Sequence, residues 1–390
     1  MPTNFDELID RRGTASIKYD FAAERGYPKD VLPFWVADMD FRAPAPVLDA
    51  LTRRTAHGIF GYTQVKDDYF AVLENWFRTR HNWAIERRDL IVTPGVVFAV
   101  AAAIRTFTNP NDSVLIQPPV YYPFANMIRQ NDRTLIDNPL HLRNGHYEID
   151  FEDFERQARD PRTTLFILCS PHNPAGRVWS REDLERLGDI CAKNGVRVFA
   201  DELHCDILMP GYKHQPFGNV DAVCRENSMT VIAPSKTFNL AGLQATILIT
   251  PDPRMRLLYE NVLARNSIPR PNLFAITGLE AAYRHGERWL DELLVYIKGN
   301  YDFLVNDLQE RLPQVRVMPL EGTFLAWMDF SALEPDPYVL QKRMLTEANV
   351  WLDEGWVFGP EGNGFERLVL ACPRSILKEA LDRIVRAFGR

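Results

Sequence analysis

The stretch MTVIAPSKTFNLAGLQATILIT, Met229–Thr250, sets two short runs rich in Val, Ile and Leu on either side of a loop holding one lysine, Lys236. Apolar runs of this length read as strands covered on both faces of a sheet, the habit of parallel strands. Outward from it, Ser113–Gln117, Thr164–Ser170 and Val196–Asp201 repeat the pattern beside the pair Met229–Ser235 and Gln244–Thr250. Helical stretches lie between them. In Ser180–Asn194, Ser180 with Asp183 suits an N-terminal cap, Leu184, Leu187, Ile190 and Cys191 share one face, and Asn194-Gly195 gives a stop. A second helix opens at Gly95 and runs through Ile104 to Phe107. The alternation predicts an α/β fold whose large domain is a mainly parallel sheet with helices on both faces.

Past Arg288 a long helical pattern runs to Leu312 and stops at Pro313. Beyond it, strand-like Phe324–Met328 and Arg367–Ala371 flank a helical stretch near Pro337–Ala348. These features predict a smaller α+β domain of residues 1–46 and 288–390, packed beside a large domain of residues 47–287.

The chain has 390 residues, 46% hydrophobic and 25% charged, an ordinary globular composition. Its net charge of −7 offers no basic footprint for nucleic acid. The five cysteines form no CxxC pair and mostly sit in apolar runs, as reduced thiols do. The opening MPTNFDELIDRRGT contains no apolar run, and the most apolar stretch, Val96 to Ile104, is too short to span a bilayer. A cytoplasmic protein with no membrane partner is the expectation. No GxGxxG, GxxxxGK[ST] or GxSxG occurs, and the histidines show no metal-binding spacing.

Ligands of open α/β sheets bind outside the carboxyl ends of the strands. There the sequence places Tyr121, Asn173, Asp201, His204 and Lys236, which together read as a site. A lysine at the end of a buried strand suits Schiff-base chemistry with a carbonyl, although surface lysines also follow strands. Asp201 ends an apolar run, where a carboxylate is costly without a positive partner; a helix cap or a structural ion pair would also account for it. One arrangement uses both residues: pyridoxal phosphate joined to the lysine, with the acid facing the pyridinium nitrogen. Gly95, Val96 and Val97 open a helix whose first N–H groups would suit the cofactor phosphate. Tyr121 would stack on the ring, and Asn173 would hydrogen-bond its phenolate oxygen.

The order of these motifs resembles the fold-type I pyridoxal-phosphate enzymes of the class I/II aminotransferase superfamily, and within it the MalY/PatB-like cystathionine β-lyase (C–S lyase) branch. The segments behind the resemblance are Phe34–Phe41, Gly61–Thr63, Gln117–Phe124, Pro171–Trp179, Asp201–His204, Ala233–Leu243 and Arg367–Arg374. The resemblance implies that Lys236 binds the cofactor covalently, that Asp201 faces the ring nitrogen, and that Asn173 and His204 sit near the ring hydroxyl. It implies that Ser235 joins Gly95, Val96 and Val97 around the phosphate, which Tyr62 reaches from the neighbouring subunit of a homodimer with shared sites. Arg367, Ala37 and Tyr62 are implied on the substrate side, with Arg374 a weaker candidate than Arg367 for the substrate carboxylate. Many aminotransferases hold the phosphate with an Arg eight residues after the lysine, where this chain has Gln244. The implied reaction is β-elimination from a sulfur amino acid, giving a thiol, pyruvate and ammonia. An aminotransferase would use the same residues, and a regulatory partner-binding protein of the MalY type is a third expectation.

Overall fold

The computed structural model describes residues 3–268 and 271–389. Its centre is a sheet of seven strands: β1 (Leu90–Pro94), β2 (Ser113–Ile116), β3 (Thr134–Asp137), β4 (Thr163–Cys169), β5 (Arg197–Asp201), β6 (Ser228–Ile232) and β7 (Ala245–Ile249). They lie in the order β1-β7-β6-β5-β4-β2-β3. Strand β7 runs antiparallel to both its neighbours, and the pairings from β6 to β3 are parallel. Successive side chains of a strand point to opposite faces, and β4 feeds two core layers in that way. Leu165 and Ile167 pack with Ala99, Val100, Val114 and Val231 on one face. Phe166 and Leu168 pack with Leu184, Leu187, Val198 and Ala200 on the other. The helices predicted at Ser180 and Gly95 are Arg181–Lys193 and Val96–Phe107. Ser180 caps the first by accepting the Asp183 N–H at 3.0 Å.

The strand expected over Met229–Ser235 ends earlier, at Ile232. Pro234 has no N–H to give the ladder and a φ suited to a first helical turn, so the chain enters the one-turn helix Pro234–Thr237. Ser235 and Lys236 therefore leave the sheet plane at its carboxyl edge. The run at Gln244 likewise starts one residue late, because Gln244 has φ +52° and caps a short turn.

The long helix near Arg288 spans Glu287–Arg311 and buries Leu290, Leu293, Ile297, Leu304 and Leu308. It lies in sequence before a four-stranded sheet of β8 (Arg316–Val317), β9 (Leu325–Asp329), β10 (Asp353–Glu354) and β11 (Phe365–Val369), ordered β8-β9-β11-β10. The opening segment joins this part of the chain. Leu32–Pro33 pairs in parallel with Val350–Trp351, and Asp40 N–H donates to the Ala371 carbonyl at 2.9 Å. The buried Asp40 is held by Arg11 and by the buried Lys18, each at 2.8 Å, so neither buried charge stands alone. Among the described residues, no helix is long and apolar enough to cross a membrane.

Candidate active site

Register brings the predicted residues to one edge. Cys169 pairs with Asp201 and Asp201 with Val231, so the ends of β4, β5 and β6 are level. Asp201 is buried, and the one hydrogen bond to its carboxylate among the described residues comes from Leu203 N–H at 3.2 Å. Burial pushes its pKa up to about 7, against the lowering effects of that N–H and of Lys236. A carboxylate this poorly satisfied fits a cationic N–H partner that the polypeptide does not supply.

Lys236 Nζ donates to the Ala37 carbonyl at 2.7 Å. Burial, followed by the positive charge of Arg367, brings its pKa down to about 8, while Asp38 and Asp201 oppose the shift. The amine is therefore neutral in an appreciable fraction of molecules near neutral pH, as a nucleophile must be. The turn behind it is fixed by Asn239, whose side chain accepts from Met39 N–H and donates to the carbonyls of Met39 and Phe41. Thr237 Oγ1 donates to the buried Asp206 carboxylate, which also takes hydrogen bonds from Trp76 Nε1 and His81 Nε2.

Arg367 comes from β11, across the crevice. Its buried guanidinium donates to Asn173 Oδ1 at 3.0 Å and to the Trp35 carbonyl at 2.7 Å, and it pairs with Asp353. Its Nε is buried with no protein partner. The planar fork is thus aimed and its charge balanced, with a donor left over for an anionic ligand. Tyr121 sits alongside, its N–H donating to the Asn173 carbonyl at 3.1 Å and its ring against Phe124 and Tyr122. His204 is buried against the edge of Phe324; burial lowers its pKa well below the usual histidine value, and Nδ1 has no partner.

At the other end, Gly95 precedes the helix Val96–Phe107, which no side chain caps. Gly95 has φ +44°, and a Cβ there would project into open space, so the glycine serves both the turn and close backbone approach. Its N–H donates to the Gln244 carbonyl at 3.3 Å, which ties the cradle to the start of β7. Ser235 Oγ is buried and unpartnered. An orphan hydroxyl, an uncapped helix start and a clear approach fit an anionic group such as a phosphate. Gln244 itself is exposed.

Two of the sequence-derived candidates, Tyr62 and Arg374, lie away from this crevice and its rim. Tyr62 is fully exposed at 102% and makes no hydrogen bond, ion pair or ring contact with the others among the described residues. Arg374 is elsewhere: its backbone N–H donates to the Tyr296 hydroxyl oxygen and its Nε to Asn300 Oδ1, so of the two arginines it is Arg367 that faces the crevice. Sequence reading passed over Asn239 and Asp353. Asp353 had a signal of the same kind as Asp201, an acid closing the apolar run Val350-Trp-Leu352. Asn239 had none, since its work is to bind a segment 200 positions away.

The model of the aminotransferase class I and II family matches residues 29–384. The cystathionine beta-lyase PatB of Bacillus subtilis (strain 168) is 45% identical over 99% of this chain and 100% of its own length. The protein MalY of Escherichia coli (strain K12) is 33% identical, with 98% of each chain covered. Cystalysin from Treponema denticola, whose crystal structure contains a pyridoxal 5'-phosphate cofactor, superposes with a TM-score of 0.96 at 35% identity, covering 100% of this chain and 99% of its own. Matched by this family model over residues 29–384 and by these relatives over nearly its full length, this chain belongs to the aminotransferase class I and II family of fold-type I pyridoxal-phosphate enzymes.

Proposed function

We propose that this protein is a pyridoxal-phosphate-dependent carbon–sulfur lyase that releases a thiol, pyruvate and ammonia from a sulfur amino acid. The observation that carries the reading is the opposition across one crevice of the Lys236 amine, with its pKa near 8, to the buried Asp201 carboxylate, with its pKa near 7. Pyridoxal phosphate, when bound, supplies a carbonyl for amines and an electron sink for charge developing at the substrate Cα. Lys236 would hold the cofactor in the resting enzyme and, once freed, would take the Cα proton on Nζ. Asp201 would keep the ring nitrogen protonated. Ser235 and the N–H groups of Val96 and Val97 would hold the phosphate, with Gly95 turning the chain into the cradle through its own N–H bond to the Gln244 carbonyl. Asn173 and His204 would hold the ring hydroxyl, and Tyr121 would cover the ring. Arg367 forks the substrate carboxylate, and the Ala37 carbonyl, given up by Lys236, marks the substrate's side of the crevice.

A homodimer in which Tyr62 reaches the partner's phosphate belongs to the same reading. Its support is the exposure of Ile59, Phe60 and Tyr62 at 65%, 60% and 102%, an apolar run that a lone chain would leave in water. A cytoplasmic location is supported by five free, buried cysteines. A division into large and small domains near residues 46 and 288 is supported by the attachment of Leu32–Pro33 to Val350–Trp351.

The deciding experiment follows pyruvate release from L-cystathionine by the purified holoenzyme with no 2-oxo acid present. Steady multiple turnover supports elimination. Turnover that waits on an added 2-oxo acid would make the protein an aminotransferase instead.

A further inference from the structure

Beside the Arg367 fork lies a second cavity, of about 400 Å³. It shares its boundary with the fork: Asp353 is the ion-pair partner of Arg367, the Trp35 carbonyl accepts from it, and Tyr122 follows Tyr121. A substrate whose α-carboxylate rests on Arg367 would therefore have this space beside it.

The walls are aromatic. Trp35 and Trp351 stack at 4.3 Å with 14° between their planes, and Tyr27 meets Trp351 edge-on at 4.8 Å. Apolar walls suit a thioether chain. The polar groups add a second requirement. Trp35 is 9% exposed, its Nε1 is buried without a hydrogen-bond partner, and Trp356 Nε1 is in the same state. Both residues line the cavity. An indole N–H can only donate, so two orphan donors call for an acceptor from outside the chain. Arg25 completes the set: its guanidinium lies 4.6 Å over the Trp35 ring and 5.5 Å from the Trp351 ring. It makes no ion pair and no side-chain hydrogen bond among the described residues. Of the two acids in the lining, Asp353 is paired with Arg367, while Glu354 accepts from the neutral Gln341 Nε2 at 2.7 Å and has its pKa pushed up to about 7 by burial, against a lowering by Arg25. The lining thus offers one cation and two indole N–H groups without a protein partner.

Resting on the lyase reading above, we propose that this cavity receives the leaving group of the substrate and selects S-substituents that end in a carboxylate, bound by Arg25 with the indole N–H groups of Trp35 and Trp356. Recognition of the distal end is in this way separated from the α-carboxylate, which stays with Arg367.

The test compares pyruvate release by the holoenzyme from S-(2-carboxyethyl)-L-cysteine, S-propyl-L-cysteine and S-(2-aminoethyl)-L-cysteine. The carboxyethyl conjugate should exceed the propyl one in kcat/KM by about tenfold or more, the scale of a charged hydrogen bond. Arg25→Ala should erase that ratio, and Arg25→Glu should turn it toward the aminoethyl conjugate. A ratio unmoved by both substitutions overturns the proposal. A second measurement does not depend on turnover: calorimetric titration of the holoenzyme with 3-(methylthio)propanoate, which has the distal half and no amino group. Binding that weakens about tenfold in Arg25→Ala supports the subsite, even if no conjugate is eliminated and the lyase reading fails. Binding that is absent, or the same in both proteins, overturns it.

Discussion

Replacing Asp201 by Asn should stabilise the cofactor-free protein and disable the loaded enzyme. In the folded chain the carboxyl has its pKa raised from 3.8 to about 7, chiefly by burial. The folded state then holds a proton more tightly than the unfolded state, so stability falls as pH rises through the interval between those values. At about 1.36 kcal/mol for each tenfold change in proton affinity, the charged carboxylate costs the cofactor-free protein about 4 kcal/mol at pH 8. At pH 5 the cost is about 2 kcal/mol, because the folded group is then mostly protonated. Asn keeps the shape and, through Oδ1, the acceptor for Leu203 N–H. Urea denaturation of the cofactor-free proteins should therefore show Asp201→Asn ahead by up to those amounts, with the larger gain at pH 8. With the cofactor in place the sign reverses, because a ring nitrogen cation is left without its counter-charge; pyruvate release should drop by about two to three orders of magnitude. A variant no more stable than the parent at pH 8, or equally favoured at both pH values, would refute the electrostatic argument. A near-normal rate would refute the role in catalysis.

Lys236→Ala should abolish turnover while the phosphate cradle retains measurable cofactor affinity, checked by pyruvate assay and equilibrium dialysis. Because the Lys236 pKa is lowered to about 8, the neutral amine fraction, and with it the rate of cofactor capture by stripped protein, should rise about fivefold between pH 7 and pH 8, as followed by stopped-flow absorbance. Removal of the neighbouring cation in Arg367→Ala should displace that profile to higher pH. Ser235→Ala, which deletes a buried hydroxyl without a protein partner, should leave the stability of the stripped protein unchanged and weaken cofactor retention about tenfold. Arg367→Lys should raise KM by about tenfold or more with a smaller change in kcat, since an ammonium has no fork to serve Asn173, Asp353 and a carboxylate together.

How much of this was legible in the sequence depends on the range of the forces involved. Strands β2, β4, β5 and β7 are legible to within a residue or two because a short run rich in Val, Ile and Leu is a local property of the sequence. The end of β6 was misplaced at Ser235, although the determinant, Pro234, stood in plain view; its missing N–H outweighed the apolar run before it. Lys236 and Asp201 each have an ordinary reading by position alone, and it is the two together, a lysine and an acid closing neighbouring apolar runs, that point to one cofactor. The motif order then suggested the partners that this pairing implied.

Tertiary structure decided the rest. Arg367 meets Asn173 across 194 positions and Trp35 across 332, and no pattern within a helix or strand encodes such a meeting. The lowered pKa of Lys236 and the raised one of Asp201 arise from burial, which exists only once the sheet, the opening segment and β11 close over the crevice. The same holds for Arg25, an ordinary exposed arginine in sequence that becomes an unpaired cation stacked on two indoles in space. Covalent character and hydrophobic period are written along the chain residue by residue. Proton affinities and ligand geometry depend on which distant segments exclude water together, so they belong to the fold.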